Sequence, residues 1–477
     1  MARLIGLDVG TSSLKGLAID ERGTLLAQAE RAYPFETPRP GWAEQDPELW
    51  WQAAQEVLAE LDSDHAEGIG LSGQMHGLVA LGSDDRPLRP AILWNDGRSQ
   101  AQCEWIEQTI GRSRLLELSG NRALAGFTAP KLVWMAEHEP ELHARIRHVL
   151  LPKDYVRLRL TGERATDVSD ASGTLLFAVA DRAWSEELAQ ALAVDTAWLP
   201  PALESPALSG RTAAGVPVAA GGGDQAAGAL GVGVLGSDGP ASIVLGTSGV
   251  VFAARERYTT TTDGSLHAFC HAVPGVWHLM GVMLSAAGSL QWLHEVTGAA
   301  PFDELVAEAA AWEPGVEGLL FAPYLAGERT PYADPQARGA FTGLSLRHDR
   351  GALTRAVLEG VAFALRDCLD LLATPPPRSA RVSGGGSRGE LWLEILAATL
   401  DIALERTAVD AGAAYGAALL GGVAAGVFSS AAEAVAACVQ TTSTTAPDPA
   451  LAACYAELRP RFTALYPALR ALRSDAE

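Results

Sequence analysis

Residues 6–15 read GLDVGTSSLK, and residues 245–253 read LGTSGVVFA. Each places a Gly-Thr-Ser turn between two apolar runs, RLIGLDVG and LKGLAID in the first instance, ASIVL and VVFAA in the second. Short apolar runs broken by such residues predict β-hairpins rather than helices. The first turn is Gly10, Thr11, Ser12 and Ser13; the second is Gly246, Thr247, Ser248 and Gly249. Two similar turns could arise independently. In a chain of 477 residues, however, they suggest two related halves, because one hydrophobic core rarely grows past about 250–300 residues. The expected domains are 1–236 and 237–477.

Working outward, Pro47 to Leu61 has the spacing of an amphipathic helix, and Gly68–Ser72 and Val149–Leu151 read as short strands, an α/β pattern. The stretch 205–223, SPALSGRTAAGVPVAAGGG, is Gly/Pro/Ser-rich and immediately precedes the second half. A helix is expected at about 412–426, where small side chains permit close packing. From 430 the tail reads as helical and peripheral, with a Thr-rich linker at 441–445.

The net charge of −21 argues against nucleic acid or an anionic membrane surface as the main partner. An anionic ligand such as ATP would need a local device, a divalent metal together with backbone N–H groups. Five scattered cysteines without a C-x-x-C fit free thiols in a reducing compartment. No export signal or convincing membrane span is visible, so a cytoplasmic location is expected.

Asp8 ends a buried strand two residues before the first turn. The turn's N–H groups and hydroxyls can cradle phosphate, and a carboxylate there can hold Mg²⁺; the plainer reading is an aspartate capping its own turn. The P-loop pattern G-x-x-x-x-G-K-[ST] is absent. Ser383–Ser387, SGGGS, lies between a strand-like run and a helix beginning near Glu390. Its glycines let backbone lie flat against a base or ribose. Asp224 follows three glycines in AAGGGDQAAG, where it can approach a ligand or cap the helix that follows.

Taken in order, these segments resemble the sugar-kinase branch of the actin-like ATPase superfamily, the FGGY carbohydrate kinases. The likeness rests on GLDVGTSSLK (6–15), GWAEQDPELWW (41–51), GLSGQMHGLV (70–79), AILWNDGRS (91–99), LLPKDYVRLRLTGE (150–163), GGGDQAAGALGVG (221–233), LGTSGVVFA (245–253), GVMLSAAGSLQWL (281–293), PYLAGERTP (323–331) and VSGGGS (382–387). It implies two ribonuclease-H-like α/β domains flanking a catalytic cleft, the first mainly for sugar and the second mainly for ATP with Mg²⁺.

By that resemblance Asp224 is the general base and Asp8 the metal-proximal carboxylate. Met75, His76, Asp224 and Gln225 would contact the sugar. Thr11, Ser12, Ser13, Gly246, Thr247, Gly384, Gly385, Gly386 and Ser387 would contact the nucleotide. The QMH loop matches the branch acting on D-xylulose, which gives D-xylulose 5-phosphate and ADP; a homodimer is possible. Gln225 departs from the more usual asparagine, and Arg388–Gly389 from the usual small polar residues, so inner sugar contacts and ribose contacts are less defined.

A kinase for another ketose, a polyol or glycerol is the near alternative, although glycerol kinases carry an arginine–glutamate pair at the QMH position. An ATP-driven conformational switch would need neither Asp224 nor that loop. A hydrolase lacks its G-x-S-x-G. His267, Cys270 and His271 could suggest a metal site, but in a strand Cys270 points away from both histidines. GALGVGVLG (228–236) lacks the order of a dinucleotide fingerprint.

Overall fold

A computed structural model describes residues 2–372 and 376–474. Its contacts divide the chain into two units. The first holds 1–236, 254–278 and 411–439; the second holds 237–253, 279–410 and 440–477. Residues 254–278 and 411–439 therefore pack with the first unit, which a single cut after 236 does not describe.

In the first unit, strands β1 (Leu4–Val9), β2 (Ser13–Ile19), β3 (Leu25–Ala32), β4 (Gly68–Gly73), β5 (Leu208–Arg211), β6 (Pro217–Ala219) and β7 (Gly222–Gly223) form a sheet. Its order is β5-β6-β4-β1-β2-β3, with β7 also paired to β4. β1 and β2 make the expected antiparallel hairpin, with Asp8 opposite Lys15. β1 runs parallel to β4, with Asp8 beside Ser72, and β7 runs parallel to β4, with Gly222 beside Ser72. Asp8 and the entry to Asp224 thus flank one residue. At the usual inter-strand spacing their backbones lie about 10 Å apart. About half of the stretch 205–223 is strand: β5 and β6 extend the sheet beyond β4, a non-local pairing that hides behind the Gly and Pro residues at their ends.

Helix Pro47–Glu60 covers one face of this unit. Asp46 caps it by accepting from Glu48 N, Pro47 supplies the fixed φ of a first turn, and Trp50, Ala53, Ala54, Val57 and Leu58 are buried at helical spacing. Burying Val57 and Leu58 stabilises by roughly 1.5–3 kcal/mol each. Helix Gly412–Ala424 packs on β1, β4 and helix Asp224–Gly231. Its closeness depends on glycine: a Cβ on Gly70 would lie 1.8 Å from Ala417 O, and one on Gly416 would lie 1.8 Å from Ala227 O. The expected role of its small residues is what the packing shows.

In the second unit, strands β8 (Ala241–Leu245), β9 (Gly249–Arg255), β10 (Trp277–Met283), β11 (Ser379–Ser383), β12 (Ala403–Thr407) and β13 (Thr441–Thr445) run in the order β10-β9-β8-β11-β12-β13. β8 and β9 are the second hairpin, and β8 runs parallel to β11 with Val244 beside Ser383. Both units therefore repeat one plan, a hairpin whose first strand pairs in parallel with a later strand. Residues 441–445 are not a linker: their β-branched threonines pair antiparallel with β12.

Candidate active site

The first turn is closed by Gly10 N donating to Ser13 O at 3.0 Å. Around it stands a brace of side chains. Gly10 O accepts from Tyr33 Oη (2.7 Å) and Gln74 Nε2 (3.2 Å), and Thr11 O accepts from Gln45 Nε2 (3.1 Å). The Thr11 hydroxyl donates to Gln74 Oε1 (3.1 Å) and accepts from Trp94 Nε1 (2.9 Å), while Ser13 Oγ donates to Glu30 (2.6 Å). Two of the three hydroxyls expected at phosphate are therefore committed to holding the turn, and Ser12 is the exposed one. What the hairpin offers an anion is a rigid backbone more than a set of hydroxyls.

Asp8 lies at the end of β1, half-buried, and its Oδ1 is buried without a hydrogen-bond partner. Burial raises its carboxyl to about 6, against the pull of Lys15 and Ser72. Asp224 opens helix Asp224–Gly231, with Gly223 as the cap residue. It is the first helical residue and not the cap, because the extended Gly222–Gly223 strand runs directly into the helix. Burial, and then the negative charge of Asp8, push Asp224 up to about 7, offset in part by hydrogen bonds from Gln225. Two carboxylates raised together, one carrying an unpartnered oxygen, form a site that favours a cation or a proton.

The QMH loop comes to the same place. Met75 is buried and His76 half-buried. A Cβ on Gly223 would lie 2.8 Å from Met75 Sδ, so the loop touches the strand that leads to Asp224. His76 takes a left-handed φ of 71°. Its Nδ1 lies 2.7 Å from Gly173 O, and a carbonyl can only accept, so Nδ1 carries the hydrogen. In the neutral ring Nε2 is then an acceptor. His76 O is held in turn by Thr128 Oγ1 (3.0 Å) and Lys131 Nζ (2.9 Å), and Lys131 also donates to Gly126 O (2.6 Å). Phe127 packs on the imidazole with centroids 4.6 Å apart. Asp8, Met75, His76, Asp224 and Gln225 are thus all in the first unit.

The second unit brings together the other sequence-selected elements. Since β8 and β11 are parallel neighbours, the turn at Gly246–Ser248 and the turn at Gly384–Ser387 leave adjacent strand ends. Thr247 O accepts from Ala286 N (2.8 Å) and Gly288 N (3.1 Å), fixing the hairpin to the start of helix Ala287–Val296. Gly384 has φ 88°, and Ser387 Oγ folds back to donate to Gly384 O at 2.8 Å. Arg406 holds the loop from outside through Ser387 O (2.9 Å) and Glu390 (2.6 Å). Gly385 and Arg388 are exposed, Gly386 half-buried and Ser387 buried.

Comparison with known proteins decides the family. The N-terminal domain of the FGGY family of carbohydrate kinases matches residues 3–231, and the C-terminal domain matches residues 241–425. The chain belongs to the FGGY family of carbohydrate kinases. It is 44% identical over 437 residues to the xylulose kinase of Escherichia coli, covering 88% of this chain and 90% of that protein. With the xylulose kinase of Lactococcus lactis it shares 42% identity over 450 residues, 90% of this chain and 89% of the other. The crystal structure of a xyloylose kinase from Brucella ovis superposes with TM-score 0.92 at 42% identity, covering 98% of this chain and 100% of that one.

As a member of this family the protein is an ATP-dependent phosphotransferase acting on a sugar, with the two-domain mixed α/β fold of that family. Sequence reasoning missed the residues that hold this FGGY kinase's site in shape. Gln45, Gln74 and Trp94 lie inside segments that carried the family resemblance, yet nothing in their spacing pointed to Thr11. Lys131 gave one usable signal, a lysine in an apolar helical stretch, TAPKLVW. Burial lowers its pKa to about 7, with Asp96 acting in the opposite direction. His267 pairs with Asn121 Oδ1 (3.0 Å), and His271 Nε2 lies 2.9 Å from Val234 O, so each histidine serves its own local partner. Among the described residues no helix is long and apolar enough to cross a membrane.

Proposed function

We propose that this FGGY kinase transfers the γ-phosphoryl group of ATP to the 5-hydroxyl of D-xylulose, with Asp224 as the general base. The observation that carries the base assignment is the register of β1, β4 and β7, in which Asp8 and the Gly222–Asp224 entry flank Ser72. The substrate follows from the xylulose kinase relatives and from Met75 and His76 beside that entry.

The chemistry asks little of the protein beyond placement and charge. Phosphoryl transfer has a loose transition state, so orientation and electrostatic stabilisation supply most of the acceleration. As the sugar oxygen bonds to the γ-phosphorus, the bond from that phosphorus to the bridging oxygen of ADP breaks. The hydroxyl proton passes to an Asp224 carboxylate oxygen. A base with a pKa near 7 is half-ionised at neutral pH and still basic enough to take that proton, the balance general-base catalysis favours. His76, its ring oriented by the Nδ1 hydrogen bond to Gly173 O, is the residue that would read a sugar hydroxyl. The Thr11–Ser13 and Gly246–Thr247 turns would meet phosphate oxygens, and Gly384–Ser387 the adenosine.

The unpartnered Asp8 Oδ1 fits a divalent cation such as Mg²⁺, held directly or through water. Among the described residues no three His, Cys, Asp or Glu side chains converge on a metal position, which suits an ion carried mainly by ATP phosphates. When bound, Mg²⁺ neutralises phosphate charge. The test is a coupled ADP-release assay over ketoses, aldoses and polyols. D-xylulose should give the highest kcat/KM, and a clear preference for another sugar would overturn the substrate assignment.

A further inference from the structure

Beneath the sugar site lies a buried group of charges that the chemistry above does not use. Lys153 Nζ contacts Asp154 Oδ1 (2.6 Å), Asp167 Oδ2 (2.8 Å) and Asp170 Oδ2 (3.0 Å), and Arg157 Nη2 contacts Asp154 Oδ1 (3.1 Å). All five side chains are 0–1% exposed. Burial alone would pull Lys153 down, but the three carboxylates more than reverse it, and its pKa is raised. Burial drives the Asp170 carboxyl well up despite Lys153. Desolvating such a group is expensive, and its attractions rarely return more than they cost, so stability alone is a weak reason for it.

Its contacts run in two directions, both toward the sugar site. Asp167 Oδ1 accepts from Ser169 N (2.8 Å), Asp170 N (3.2 Å), Ser205 Oγ (3.2 Å) and the Ser169 hydroxyl. Because the Ser169 proton is given to Asp167, the oxygen's lone pair is left to receive Gly223 N, at 3.1 Å. Arg157 Nη1 donates to Ala220 O (3.1 Å), and Gly221 N donates to Ser205 O (3.0 Å). The residues immediately before Asp224 are therefore fastened at three points. Four residues after Ser169, Gly173 O receives His76 Nδ1. A Cβ on Gly173 would lie 2.3 Å from that nitrogen.

We propose that residues 167–174 form one positioning element, anchored by Lys153, which sets the Asp224 entry through Ser169 and the His76 ring through Gly173. Ser169 is thus a positioning residue for the transfer step, and the proposal rests on Asp224 being its base. Fixing base and sugar reader to one turn keeps their separation constant, and a displacement of about 1 Å costs roughly 10²-fold in rate.

The test uses the full chain with D-xylulose, ATP and Mg²⁺, comparing wild type, Ser169→Ala, Ser169→Thr, Gly173→Ala and Asp224→Asn. Ser169→Ala should lower kcat by about 10–10²-fold with the KM for ATP unchanged, and Ser169→Thr, which keeps the acceptor oxygen, should recover most of the loss. Gly173→Ala should raise the KM for sugar and leave that for ATP alone; it stands independently if Ser169→Ala fails to fold. Wild-type kcat in Ser169→Ala beside an inactive Asp224→Asn would overturn the positioning role and leave the base assignment standing. So would equal losses in kcat, KM for ATP and melting temperature, the pattern of a merely structural residue. Turnover retained in Asp224→Asn would instead remove the base reading on which the proposal rests.

Discussion

Asp224→Asn should make the free protein more stable as well as nearly inactive, and the gain should depend on pH. Burial raises the Asp224 carboxyl from 3.8 to about 7. A carboxyl whose folded pKa lies above its unfolded value is held better neutral than ionised. Its contribution to stability is complete below about pH 4 and is lost as pH rises through about 7. The shift of about 3 units corresponds to about 4 kcal/mol as a ceiling. Asp224 is half-buried, so water relieves part of that cost, and we expect about 1–3 kcal/mol. Asparagine is neutral at every pH and keeps an acceptor for the hydrogen bonds of Gln225. Ligand-free melts should show nearly matching melting temperatures at about pH 4 and a gap that widens to a few degrees by about pH 8, at roughly 2–4 °C per kcal/mol for a domain of this size class. The same preparation should lose about 10²–10⁴ in kcat at pH 8. A gap independent of pH, or a variant less stable than wild type at pH 8, would refute the desolvation argument even if activity were lost.

Three further outcomes follow from the same groups. The sugar kcat/KM should fall about tenfold per pH unit below about 7, because only ionised Asp224 accepts the proton; a flat profile down to about pH 5.5 would exclude it as base. Asp8→Asn should raise the Mg²⁺ concentration needed for half-maximal turnover by about 10–100-fold while sugar binding persists, since Asp8 Oδ1 is the unpartnered oxygen; an unchanged Mg²⁺ titration would make Asp8 a structural group. His76→Ala should cost roughly 1–3 kcal/mol in kcat/KM for D-xylulose with the KM for ATP unmoved, and equal losses on D-ribulose and glycerol would show that His76 does not read the sugar.

Both hairpins were legible because all that specifies them is local. Apolar runs make β1, β2, β8 and β9, and the Gly-Thr-Ser residues between them permit tight turns. The helix at 47–60 was legible for the same reason, with Asp46 and Pro47 marking its start. What failed depended on distant partners. β5 and β6 acquire strand structure by extending the sheet beyond β4, and β13 by pairing with β12, so the Gly/Pro-rich stretch gave no strand signal and the Thr-rich one looked like a linker. At Asp224 an aspartate before a small-residue helix suggested a cap. Gly223 occupies the cap position instead, without a side-chain cap hydrogen bond, because the strand register with β4 carries the chain to that point already extended.

The site divides along a related line. A base and a metal-proximal group must be particular residue types, so the motifs that carry the family resemblance single out Asp8, Asp224 and His76 as candidates. A positioning contact needs only a donor or acceptor in the right place, and many residues can supply one. Gly173 meets His76 across 97 residues of sequence, and Ser169 meets Gly223 across 54, which no local pattern encodes. The two buried lysines show how far residue type can go. Lys153 sits among three carboxylates and its pKa is raised; Lys131 donates only to carbonyls, and burial lowers it to about 7. Two identical buried side chains thus have their pKa values shifted in opposite directions, according to whether carboxylates or only carbonyls face them. For Lys131 the neutral state carries no penalty in contacts. A neutral amine still has two N–H groups, as many as the two carbonyls it serves, so His76 O and Gly126 O stay bonded whichever state the amine takes.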